Sequence, residues 1–77
     1  MDIEAVVASR IKFYAGKRGY SINHLADFAG VSRGYLSEVL RGKYSPTVRL
    51  LAKIAEALEV DIVELFRQGE QQAPRRG

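Results

Sequence analysis

Seventy-seven residues carrying a net charge of +3 make one small domain, a size that buries only about 60% of its unfolded surface and gains from assembly. The absence of cysteine excludes disulfides and thiolate metal sites and indicates a reducing compartment. No apolar run approaches the roughly 20 residues of a membrane span, and the acidic start at Asp2 and Glu4 is unlike a signal peptide, so a cytoplasmic protein without a membrane partner is expected.

The remaining composition, 47% hydrophobic and 27% charged, is that of an ordinary globular chain rather than a disordered one. The periodicity is helical nearly throughout. Asp2 is placed to cap a first helix whose inward face is Ile3, Val7, Ile11 and Tyr14, failing near Gly16–Gly19. Ser21 starts a second helix with the stripe Ile22, Leu25, Ala26 and Ala29, and Gly30 ends it. Ser32 starts a third almost at once, with Leu36, Val39 and Leu40 inward and Gly42 as its stop.

Ser45-Pro46 reads as a cap followed by proline at the first helical position. The fourth helix then directs Val48, Leu51, Ile54, Ala55 and Leu58 inward. Asp61 and Glu64 form a variant capping box before a short fifth helix containing Ile62, Leu65 and Phe66. The domain is expected over 1–67, followed by a polar, loose tail over 68–77. Nothing reads as a strand. Tyr14, Tyr20 and Phe28 are assigned to packing, and the lone His24 to a solvated helix face with no second ligand to share a metal.

Between Ile22 and Val39, two short helices meet at a tight turn. Ala26 is small where they cross, Gly30 lets the backbone turn, Val31 fills the corner, and Leu36 and Val39 pack the second helix back on the first. The series SINHLADFAGVSRGYLSEVLRGKYSP, continued by LLAKIAEALEVDIVELF, resembles the lambda-repressor-like (phage Cro and repressor) helix-turn-helix family over about Ser21–Phe66. The resemblance implies an all-α, compact five-helix DNA-binding domain whose members usually bind operators as dimers.

The family's DNA-facing positions carry over one by one. The resemblance starts the recognition helix at Ser32 and turns Arg33, Gly34, Ser37 and Glu38 toward base edges. Arg33 suits guanine O6 and N7, Glu38 can accept from cytosine N4 or pair with Arg41, and Gly34, with no side chain, either allows close backbone approach or contacts a thymine methyl poorly. Phosphate contacts are expected from Ser21, Asn23, Ser32, Tyr35, Arg41, Lys43, Tyr44 and Thr47, with Arg33, Arg41 and Lys43 gathered on one side.

Many members also bury an Arg–Glu pair. The matching positions are taken as Ala15 and Leu40, so both charges are expected to be replaced together by an apolar contact. Leu50 and Val63 stand where the family is often polar. With Phe66 they form the first candidate dimer surface, and Val6 with Phe13 forms the second.

The function implied is a transcriptional regulator, a repressor or small controller protein, reading a pseudo-palindrome in double-stranded DNA as a homodimer. The alternatives are an antitoxin that also binds a toxin, and an interaction module with the same fold that has lost DNA binding. No nucleophile–base pair, metal set or phosphate loop points to an enzyme, a cofactor or a small-molecule ligand.

Overall fold

The computed structural model describes residues 2–67; the tail expected at 68–77 lies outside the described residues. The Asp2 carboxylate accepts from the N–H groups of Glu4 and Ala5 and so opens the first helix, α1 (Ile3–Arg18). Ser21, Ser32 and Thr47 do the same for α2 (Ile22–Ala29), α3 (Arg33–Leu40) and α4 (Val48–Leu58), each hydroxyl accepting from an N–H three residues on. Asp61 caps a final one-turn element, the 3₁₀ helix η1 (Ile62–Phe66), by accepting from Val63 N–H.

Four α-helices and a 3₁₀ turn therefore stand where five helices were expected. The fifth element stays 3₁₀ because only five residues separate its cap from the extended Arg67, too few to nucleate an α-helix. Among the described residues there is no strand.

The helices close around Ile11, Leu25, Ala26, Leu36, Ile54, Leu58 and Leu65, all essentially inaccessible. α1 packs on η1, α3 and α4, and α2 packs on both α3 and α4. The radius of gyration is 12.1 Å. Gly30 adopts φ +75°, the left-handed region that an L side chain enters only with strain, and its N–H bonds to the carbonyls of Ala26 and Asp27. That single residue turns the chain from α2 into α3.

Several expectations are corrected. Ile3 is exposed; the buried face of α1 is Val7, Ala8, Ile11 and Ala15, and Tyr14 is half-buried. The cap of α4 is Thr47, not Ser45, and Pro46 precedes the helix rather than opening it. Proline drives the residue before it into extended conformation. The Ser45 hydroxyl then reaches back to donate to the Glu4 carboxylate on α1. Starting one residue after Thr47 turns Val48 outward, 75% exposed, and brings Leu50 inward, 4% exposed. Leu50 is thus core, not candidate dimer surface. Phe28, assigned to packing, is exposed on the outer side of α2.

The buried cation was missed. Arg10 is 2% exposed, on the apolar side of α1 between Val7 and Ile11. Its Nε donates to the main-chain carbonyl of Glu64 (3.2 Å) and its Nη2 to the Tyr14 hydroxyl (2.8 Å). The same hydroxyl donates to the Glu64 carboxylate (3.2 Å), which also lies 3.9 Å from Arg10 Nη2. The guanidinium sits about 5 Å from the rings of Phe13 and Tyr14, in cation–π range. Ala15 and Leu40 are buried apolar residues as expected, but charge has not left the interior: it joins α1 to η1 instead.

Candidate nucleic-acid interface

α3 is two-sided for a local reason. Its eight residues make little more than two turns, so Leu36, Val39 and Leu40 fix one face in the core and leave Arg33, Gly34, Ser37 and Glu38 on the other. Arg33 and Gly34 are exposed, Ser37 and Glu38 partly so. The four residues assigned to base edges thus share one face of one helix.

The start of α2 lies beside them. Arg33 Nη1 donates to Asn23 Oδ1 across 3.4 Å. An open cleft between the two helices is lined by Ile22, Asn23, Ser32, Arg33, Gly34 and Ser37. Four of those side chains are hydrogen-bonding; Ile22 is the apolar exception.

Three hydroxyls assigned to phosphate, those of Ser21, Ser32 and Thr47, are the caps of α2, α3 and α4. Capping uses a lone pair of each oxygen, and a hydroxyl also carries a donor, which can serve an anion at the positive end of the helix. Arg41, Lys43 and Tyr44 are exposed in the segment between α3 and α4. Tyr44 stacks on Tyr35, ring centroids 6.1 Å apart, and Tyr35 packs on the core, so the loop is tied to α3. Glu38 lies 3.9 Å from Arg41, the alternative pairing weighed for it. That leaves its carboxylate partly compensated on a surface otherwise rich in cations.

The remaining candidate residues lie elsewhere. Val63 and Phe66 are exposed on η1, 52% and 42%. Val6 and Phe13 are half-buried, and the Phe13 ring is already engaged by Arg10 and Lys17 and by Tyr14 in a T-shaped contact. His24 is exposed, as assigned, and its ring lies against Tyr20 at 4.2 Å. Among the described residues no helix is long and apolar enough to cross a membrane.

Two capped helices at a glycine corner, the second showing a polar face beside a cationic loop, define a helix-turn-helix unit. The Helix-turn-helix family HTH_3 matches residues 11–65, and the chain belongs to that family. It is 47% identical over 57 residues to the HTH-type transcriptional regulator SlrR of Bacillus subtilis, covering 73% of this chain and 38% of that protein. Among solved structures it is similar to the hypothetical transcription factor NHTF from Neisseria, with TM-score 0.85 and 28% identity over 92% of this chain and 80% of that one. It is also similar to the biofilm master regulator SinR in complex with DNA, with TM-score 0.72 and 35% identity over 79% of this chain and 98% of that one. The chain spans 38%, 60% and 56% of the lengths of the first curated relatives it matches.

Proposed function

We propose that this chain binds double-stranded DNA sequence-specifically and regulates transcription, with α3 in the major groove. The observation that carries the reading is the division of α3 into a core face and an exposed face bearing Arg33, Gly34, Ser37 and Glu38. Similarity to the structure of SinR in complex with DNA supports it. In this reading Arg33 donates to guanine O6 and N7 and Ser37 bonds a neighbouring base edge. Glu38, held near Arg41, disfavours some base pairs more than it attracts one. Asn23, the capping hydroxyls, Tyr35, Arg41, Lys43 and Tyr44 anchor the phosphates on either side.

Two subunits would set their recognition helices about 34 Å apart and read a pseudo-palindrome. Val63 and Phe66, apolar and exposed on η1, are the proposed subunit contact; Val6 and Phe13, half-buried, are the weaker surface. Selection of bound sequences from a random duplex library tests the proposal. An enriched motif with two inverted half-sites one helical turn apart supports it; no enrichment at any salt concentration overturns it.

A further inference from the structure

We propose that Ile22 and Gly34 together form a seat for the 5-methyl group of a thymine lying next to the base that Arg33 contacts. The inference rests on the reading that α3 enters the major groove. Ile22 opens α2, is 40% exposed, and lines the cleft with Arg33, Gly34 and Ser37. The inward face of α2 is completed without it by Leu25 and Ala26. A branched apolar side chain outside the buried core cluster therefore lines a cleft whose other side chains are hydrogen-bonding.

Gly34 has no explanation in the fold either. It lies in the first turn of α3, where glycine is less favourable than alanine by up to about 1 kcal/mol. Its φ is not in the left-handed region, and a Cβ at this position would meet nothing within 4 Å. Neither backbone nor packing asks for glycine. What glycine provides is space, beside Ile22 and Arg33.

The occupant follows from the chemistry of the major groove. Base edges there present hydrogen-bond donors and acceptors and one apolar feature, the thymine methyl. The cleft pairs a guanidinium, an amide and two hydroxyls with a single apolar side chain, which suits one methyl group flanked by polar base edges. Ile22 and Gly34 are then specificity-determining residues that add a thymine to the guanine preference of Arg33.

The test uses the operator recovered by selection, with each thymine replaced in turn by deoxyuridine, which removes only the methyl. In the wild-type protein one position per half-site should lose about three- to tenfold in affinity, the scale of one buried methyl. Ile22→Ala should bind the thymine and uracil duplexes equally, and Gly34→Leu, filling the seat, should also lose the distinction. Both positions are exposed, so Ile22→Ala should stay folded, and Gly34→Leu should melt at or above the wild type because it replaces a helical glycine in open space. Sequence preference intact with no uracil-sensitive position overturns the proposal alone, as does Ile22→Ala retaining the discrimination. A change of oligomeric state in Ile22→Ala overturns it in favour of a protein contact. Absence of any sequence preference in the wild type overturns the groove reading, and this proposal with it.

Discussion

Arg10 of α1 is held at the main-chain carbonyl of Glu64 in η1, 54 residues later, with the Tyr14 hydroxyl bridging the guanidinium and the Glu64 carboxylate. The contact ties the first element to the last described one. It also makes the two partners unequal. Arg10 is buried, while the Glu64 side chain is 27% exposed and can turn to water or to Arg67. Arg10→Ala should therefore cost about 2–4 kcal/mol, removing a donor from both the Glu64 carbonyl and the Tyr14 hydroxyl and leaving a void, whereas Glu64→Gln should cost under about 1 kcal/mol. Urea denaturation of both variants checks this. Equal losses would contradict the asymmetry.

Two residues in left-handed conformation give an opposite pair of predictions. Gly30 (φ +75°) turns α2 into α3, and Gly30→Ala should destabilise by about 1–2 kcal/mol although no atom crowds the position. Glu59 (φ 60°) ends α4 in the same conformation and forms an exposed ion pair with Arg18. Glu59→Gly should stabilise by about 0.5–1 kcal/mol, because strain relief exceeds the worth of that surface pair. Thermal melts by circular dichroism read both. A loss in Glu59→Gly would mean that the Arg18 contact outweighs the strain.

These cases mark what was legible in the sequence. Hydroxyl and carboxylate caps at Asp2, Ser21 and Ser32 and the glycine at position 30 announce three helices through local hydrogen-bond chemistry, and local chemistry does not depend on the rest of the fold. The two faces of α3 follow from its apolar spacing. The errors have a tertiary origin. By local chemistry Ser45, followed by proline, is the better cap; in the fold its hydroxyl meets Glu4 on α1, and Thr47 caps α4. That shift also decides which of Val48 and Leu50 is buried. Arg10 could have been found, since it interrupts the apolar stripe between Val7 and Ile11, but its partner Glu64 reads from sequence only as a capping residue. The Arg33–Asn23 contact joins residues from two helices and has no signal in either one alone.

The apolar residues of α4 and η1 should behave in contrasting ways. Leu50→Ala removes a buried side chain and should cost about 2–4 kcal/mol at any protein concentration. Val63→Asp alters an exposed position, so it should leave the monomer fold intact but shift sedimentation from dimer to monomer. A Val63→Asp protein that sediments as wild type does would remove η1 from the subunit contact.

Lys43 is exposed in the α3–α4 segment, the side chain best placed there to meet a phosphate without a protein partner already engaging it. Lys43→Ala should weaken operator and random duplexes by the same factor and reduce the slope of log K against log salt by about 1. An unchanged slope would exclude a phosphate contact at this residue.

Base reading by α3 through Arg33 is measured by the affinity ratio between the selected operator and a random duplex, for the wild type and for Arg33→Ala at one fixed salt concentration. Arg33 is exposed and its loss leaves Leu36, Val39 and Leu40 in place, so the variant should fold normally. The predicted result is a fall in the ratio of roughly five- to 150-fold per half-site, from loss of about 1–3 kcal/mol of base discrimination, with tolerance for any base pair at the guanine position. A ratio that stays at the wild-type value would mean that Arg33 does not read a base.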